Sequence, residues 1–66
     1  MSNKIDLSLN AFEVLVVVDH YEKLGIKHFD LMKGNGCIWA ARGSGSVPIN
    51  EYFVFREGKL IDIQID

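Results

Sequence analysis

The sequence predicts an α+β fold, in which one helix packs on a four-stranded antiparallel meander in the order α-β-β-β-β. Three observations support this prediction. Capping signals bracket one amphipathic segment, two glycine-containing turns each separate a pair of strand-like apolar segments, and the 66 residues suit one domain. We therefore expect residues 1–66 to form a single small α+β domain.

Composition and charge narrow the class of protein. Hydrophobic residues make up 48% and charged residues 24%, as in ordinary globular proteins, and the net charge is −2. This acidic balance argues against a nucleic-acid partner. The single cysteine permits no internal disulfide, so we expect a reducing, cytoplasmic environment. A chain of this size buries only about 60% of its extended surface, which favours self-association.

Several kinds of site are excluded by residue spacing. The longest apolar run, residues 14–18, is far too short to span a bilayer, so we expect no membrane contact. One cysteine with His20 and His28 eight positions apart does not form a zinc motif. Residues 43–46 contain two glycines but lack the lysine and following helix of a phosphate loop. The sequence therefore predicts no metal and no cofactor.

A helix is predicted from about Ala11 to Leu24. Asn10 stands where an N-cap side chain is needed, and Gly25 stands where a left-handed residue ends a helix. The β-branched run at residues 16–18 prefers a strand, but the two matched caps outweigh it. At 100° per residue, one face of this helix carries Val14, Val17, Val18, Tyr21 and Leu24.

Two β-hairpins account for the remaining chain. In the first, a bulged turn closed by Gly36 pairs Leu31 with Trp39, whereas a two-residue turn at residues 35–36 shifts this register. Apolar patterning favours the bulge, which predicts a shared core face of Phe29, Leu31, Cys37, Trp39 and Ala41. Residues 43–46 are expected to form a flexible loop between the hairpins.

The second hairpin turns at residues 56–59. With Gly58 in a bulge, Phe53 pairs with Ile61. The predicted core then contains Phe53, Phe55, Ile61, Ile63 and Trp39, packed against Val14, Val18 and Tyr21.

Polar side chains on the solvent side of the predicted sheet are the candidate ligand-binding residues. They are His28, Asp30, Arg42, Tyr52 and Asp62. Histidine, tyrosine and two carboxylates can carry out acid–base chemistry, but only in a dry, concave pocket. A single sheet with one helix has no second layer to build one. The sequence therefore predicts no catalytic residue.

Apolar side chains left over from the predicted core are the candidate partner-binding residues. They are Phe12 and Val16 on the helix, and Met32, Ile38, Val54 and Leu60 on the sheet. Residues 5–7 are one candidate cover for the helical pair. The sheet set exceeds the apolar patch that a monomer usually exposes. This pattern predicts a homodimer that stacks its sheets, or a different protein partner.

The C-terminal strands resemble those of SnoaL-like proteins, which belong to the cystatin-like α+β roll. The resemblance covers residues 38–46, which read Ile-Trp-Ala-Ala-Arg-Gly-Ser-Gly-Ser, and residues 52–61, about 20 of 66 positions. It implies a helix followed by a curved, cystatin-like meander that dimerises through its sheet. The chain lacks the additional N-terminal helices that form that family's pocket, so no catalytic residue is carried over.

The sequence thus favours a small non-catalytic interaction protein, an adaptor or an inhibitor. The alternative is a reduced SnoaL-like domain that binds a small ligand in a pocket completed by dimerisation.

Overall fold

The computed structural model describes residues 3–43 and 48–65. The elements are α1 (Ala11–Lys23), β1 (Phe29–Lys33), β2 (Cys37–Arg42), β3 (Ile49–Arg56) and β4 (Lys59–Ile65). The strands form one antiparallel sheet in the order β1-β2-β3-β4, and α1 packs on one side of it. The predicted α-β-β-β-β architecture is confirmed. Most of the predicted loop at residues 43–46 lies outside the described residues.

The start of α1 is fixed by Asn10. Its side-chain oxygen accepts hydrogen bonds from the main-chain N–H groups of Phe12 and Glu13, at 2.9 and 3.2 Å. These bonds satisfy two donors that have no partner within the helix. The local capping preference therefore prevails over the strand preference of residues 16–18.

The end of α1 is a Schellman motif. Gly25 has φ 75°, the Ile26 N–H donates to the Tyr21 carbonyl at 2.9 Å, and the Gly25 N–H donates to the Glu22 carbonyl at 3.1 Å. This geometry confirms the predicted C-terminal cap. Because Ile26 turns back beneath the helix, it packs against the core.

We call the sheet face that α1 covers the inner face. The hydrophobic core lies between this face and α1. Its buried apolar side chains are Val17 and Tyr21 from α1, and Phe29, Leu31, Ile38, Ala40 and Phe53 from the sheet. Val14, Val18, Phe55 and Ile63 are partly buried and pack against this cluster, as predicted.

The first hairpin has the register of a two-residue turn, so the predicted bulge is wrong. Met32 pairs with Trp39, and the Gly34 N–H donates to the Cys37 carbonyl at 2.9 Å across residues 35–36. Gly36 has φ 72°, so its predicted left-handed conformation is confirmed. Since a one-residue shift exchanges the faces of a strand, Trp39 leaves the predicted core. Ile38 and Ala40 take its place beside Phe29 and Leu31.

The second hairpin also has a two-residue turn, formed by Glu57 (φ 53°) and Gly58 (φ 78°). The extra residue that we expected at Gly58 lies instead within β4, where the register shifts between Val54 and Phe55. This bulge lets Phe53 pair with Ile63 and Phe55 pair with Leu60 on the inner face. The prediction that Phe53 pairs with Ile61 is wrong, and Ile61 is exposed.

The two edges of the sheet differ. Along β1, the N-terminal segment forms a parallel bridge, in which the Leu31 N–H donates to the Lys4 carbonyl at 2.8 Å and the Asp6 N–H donates to the Leu31 carbonyl at 3.0 Å. This segment therefore shields the β1 edge. Within the segment, hydrogen bonds from the main chain and hydroxyl of Ser8 hold the pKa of the Asp6 carboxyl below its usual value.

Along β4, the strand shields its own edge. The Ile63 N–H donates to the Asp62 carboxylate at 2.9 Å, and the same carboxylate accepts from Gln64 at 3.0 Å. A bulge and a charged side chain on an edge strand both discourage pairing with another chain.

Candidate interaction surface

The sheet face opposite α1, which we call the outer face, is the candidate site. The strand registers assign it the residues Asp30, Met32, Cys37, Trp39, Ala41, Asn50, Tyr52, Val54, Arg56, Lys59, Asp62 and Gln64. Apolar and aromatic side chains occupy its centre, and carboxylates lie on its two edge strands. Among the described residues, none forms a second layer over it.

The centre of the outer face is an aromatic pair. Trp39 and Tyr52 are directly paired across β2 and β3, with ring centroids 6.4 Å apart and ring planes 14° from parallel. Within the described part of the chain, the buried Trp39 Nε1 has no hydrogen-bond partner. The sequence assigned Trp39 to the core, and the corrected register of the first hairpin explains its position here.

The sheet residues predicted to bind a partner divide between the two faces. Met32, 42% exposed, and Val54 lie on the outer face. Ile38 is only 1% exposed and belongs to the core, and Leu60 packs against that core beside Phe55. The assignment of Ile38 and Leu60 to the solvent side of the sheet is therefore wrong. Trp39, which the sequence assigned to the core, lies on the outer face instead, beside the predicted Tyr52.

The helix carries a second exposed apolar group. Phe12 is 79% exposed and Leu15 is 63% exposed, while Val16 is partly covered. Residues 5–7 do not cover Phe12, because this segment runs along β1 instead. Nearby, Ile5, Leu9, Val14 and Leu15 help to line a hollow of about 360 Å³ that opens to solvent. We call Phe12, Leu15 and Val16 the helix surface.

The candidate ligand-binding residues do not converge. Asp30 and Asp62 lie on β1 and β4, the two edge strands, and Tyr52 lies on β3 paired with Gln64. Tyr52 and Asp62 are therefore not register partners.

The other two candidates are also separated. His28 precedes β1 and is exposed, and Arg42 pairs with Phe29 rather than with His28. Arg42 extends over the inner face, where its guanidinium Nε donates to Glu51. The five residues therefore do not form one polar site.

A buried polar cluster escaped the sequence analysis. Glu51 is only 4% exposed, and its carboxylate accepts hydrogen bonds from the Tyr21 hydroxyl at 2.9 Å and from Arg42. Burial, followed by the hydrogen bond to Glu51, raises the pKa of the Tyr21 hydroxyl far above its usual value. Glu51 alternates in phase with Phe53 and Phe55, and this was the available signal for a buried carboxylate. The cluster joins α1 to the sheet.

The structure also contains open hollows that could admit a ligand. A hollow of about 380 Å³ lies between the start of α1 and the β1–β2 turn, lined by Asn10, Glu13, Lys33 and Cys37 among others. In residues 3–43 and 48–65, no group of three or more His, Cys, Asp or Glu side chains is arranged to hold a metal. These hollows present no convergent set of catalytic groups.

Comparisons with known proteins return no relative. No protein-family model, curated protein or solved structure matches the chain. The SnoaL-like resemblance therefore stays a prediction. Within the described ranges, no helix has both the length and the apolar character needed to cross a bilayer.

Proposed function

We propose that this chain is a small non-catalytic protein-interaction module, of the adaptor or inhibitor type, that binds its partner through the outer face. The observation that carries this proposal is the asymmetry of the sheet. The inner face is covered by α1, whereas the outer face leaves the stacked Trp39 and Tyr52 beside Met32 and Val54 without a second layer. Aromatic residues and methionine are enriched at the centres of protein interfaces.

The sheet edges are poor alternatives to this face. Strand addition needs a row of free main-chain donors and acceptors along an edge strand. The N-terminal segment occupies part of the β1 edge, and Asp62 binds the Ile63 N–H on β4. A partner therefore meets side chains of the outer face more readily than main-chain groups of the edges.

The polar groups favour binding over catalysis. General acid–base chemistry requires two titratable side chains that converge on one substrate in a water-poor site. Asp30 and Asp62 are three strands apart, and Arg42 lies on the opposite face of the sheet. The buried cluster around Glu51 connects α1 to the sheet, which is a structural role.

Site-specific photo-crosslinking in the producing cell tests this proposal. One chain carries a photoreactive amino acid in place of Val54, and a matched chain carries it in place of Leu15 on the helix surface. We expect covalent adducts from the outer-face position and far fewer from the helical position. Adducts from the helical position alone, or from neither position, would contradict the proposal.

A second substitution checks that the adducts depend on the surface itself. Met32→Lys, added to the chain labelled at position 54, should remove the adducts while the circular dichroism spectrum stays unchanged. Persistence of the same adducts would show that the outer face does not select the partner.

A further inference from the structure

We infer that the outer face binds a second copy of this chain, with two sheets stacked face to face about a twofold axis. This inference rests on the proposed function, because it names the occupant of the same face. Two features of the outer face support it, its charge balance and the order of its side chains across the sheet, and its area sets the expected strength of the contact.

The charge balance of the outer face suits a copy of itself. It carries two carboxylates, Asp30 and Asp62, and the paired cations Arg56 and Lys59 follow in phase at the end of β3 and the start of β4. The charges of these described residues sum to zero, so they give the face no strong field of one sign to attract a highly charged partner. Two such faces meet without net repulsion.

One row of side chains is self-complementary. Across the sheet, Met32, Trp39, Tyr52 and Gln64 are successive register partners. A twofold axis parallel to the strands, between β2 and β3, lays β1 of one copy over β4 of the other. It therefore places Trp39 against Tyr52 of the second copy, and Met32 against Gln64 of the second copy. Stacked sheets of natural sandwiches align their strands in this way, within about 30°.

The same axis separates Asp30 of one copy from Asp62 of the other. Because β1 faces β4, Asp30 of one copy lies one residue beyond the level of Ile65 of the other, four residues along the strand from Asp62. Asp62 lies at the level of the β1–β2 turn, where Gly34 opposes Cys37. Since the axis passes between strands, no side chain faces its own copy. An isologous contact requires this kind of self-complementarity.

The area of the outer face predicts a weak, reversible dimer. Four strands spaced about 4.8 Å apart and roughly six residues long give a face of about 400 Å² per copy. Stable interfaces bury about 800 Å² per partner, and smaller ones belong to transient complexes. We therefore expect dimers at micromolar or higher concentration and monomers on dilution.

Sedimentation equilibrium of the full chain tests the inference through a charge pair. Met32→Lys places a cation inside the interface against Gln64 of the second copy, which has no charge to balance it, and we expect it to weaken dimerisation by about tenfold or more. Gln64→Glu alone is expected to weaken it as well. The double variant pairs the two new charges across both symmetric contacts, so it should recover most of the lost affinity. Phe12→Lys, on the helix surface, is the matched control and should leave the affinity unchanged.

Each outcome decides between arrangements, provided that circular dichroism shows every variant to be folded. Failure of the double variant to recover affinity overturns the proposed axis. Loss of dimers in Phe12→Lys but not in Met32→Lys moves the contact to the helix surface. A wild-type chain that stays monomeric up to about 1 mM overturns the second copy as occupant.

The failure of this inference is distinguishable from failure of the proposed function. If the wild type is monomeric while photo-crosslinking from position 54 still gives adducts, the outer face binds a different protein. If crosslinking gives no adduct and sedimentation shows no dimer, both proposals are wrong. Adducts with the mass of two chains support both.

Discussion

Trp39 stacks on Tyr52 across the central strands, with ring centroids 6.4 Å apart and ring planes 14° from parallel. Both rings lie on the face of the sheet that α1 leaves uncovered. An aromatic pair of this kind usually stabilises a hydrophobic core. Here it forms the centre of the sheet face without a second layer, and this position is the main support for the binding role that we propose for that face.

The first prediction concerns the stability lost by truncating residues on the two faces of the sheet. Phe53 is fully buried on the inner face, and its neighbour Val54 lies on the outer face. Phe53→Ala should lower the free energy of unfolding by about 3–5 kcal/mol, because it leaves a cavity in the core. Val54→Ala should cost about 1 kcal/mol or less, because the outer face is not a closed core. Urea denaturation measures both values, and equal losses would contradict the assignment of faces.

The second prediction concerns the buried hydrogen bond between Tyr21 and Glu51. The Tyr21 hydroxyl donates to Glu51 at 2.9 Å in the interior. Tyr21→Phe removes this donor from a buried carboxylate and should cost about 1–3 kcal/mol of unfolding free energy. Tyr52→Phe is the matched control on the outer face and should cost less than about 0.5 kcal/mol. Indistinguishable denaturation curves for the two variants would show that the hydrogen bond does not stabilise the fold.

The third prediction concerns the dependence of the free energy of unfolding on pH. Burial and the hydrogen bond to Glu51 raise the pKa of Tyr21 above its ordinary value of 10.0. Below pH 10, Tyr21 is protonated in both the folded and the unfolded chain, and this contribution to stability is complete. Above pH 10 the unfolded chain loses the proton and the folded chain keeps it, so the free energy of unfolding falls. Thermal denaturation as a function of pH should show a shallower alkaline fall in Tyr21→Phe, and an identical fall would contradict the pKa shift.

The fourth prediction concerns the two-residue turn between β3 and β4. Glu57 has φ 53° and Gly58 has φ 78°, so both residues are in the left-handed region. This region costs a residue with a side chain about 1–2 kcal/mol, and two-residue turns prefer asparagine or glycine at the first position. Glu57→Asn should therefore raise the free energy of unfolding, by about 0.5–1 kcal/mol. Gly58→Val should lower it by about 1–3 kcal/mol. The opposite signs in denaturation experiments would refute the observed turn.

Local signals in the sequence predicted the elements of the fold correctly. A cap is a contact between residues only two to five positions apart, so Asn10 and Gly25 were sufficient to place α1. Likewise, Gly36 and Gly58 have the predicted positive φ, because turn conformation depends on adjacent residues.

The strand registers were less predictable because β2 is apolar on both sides. Residues 37–41 read Cys-Ile-Trp-Ala-Ala, and this pattern gives no alternation to choose a face. The choice depends on tertiary packing, which buries Ile38 and Ala40 beneath α1 and leaves Trp39 outside. In β4, a bulge inside the strand corrects the register, and no glycine marks its position.

The residues of the outer face were also predicted only in part from the sequence. Met32 and Val54 were placed on the outer face from sequence because the large apolar residues of the core, at 29 and 31 in β1 and at 53 and 55 in β3, occupy the other face. Trp39 was missed through the register error. Ile38 was misplaced because the predicted register between β1 and β2 was wrong. Leu60 was misplaced because the predicted register between β3 and β4 was wrong.

Nuclear magnetic resonance of the isotopically labelled chain over a dilution series tests self-association through the outer face residue by residue. The single tryptophan gives one indole N–H signal, so Trp39 reports on the outer face alone. Between about 1 mM and 20 µM, we predict concentration-dependent shifts at Trp39, Tyr52, Met32 and Val54, with the helix surface unchanged. Shifts confined to Phe12, Leu15 and Val16, or no shifts anywhere in this range, would contradict self-association through the outer face.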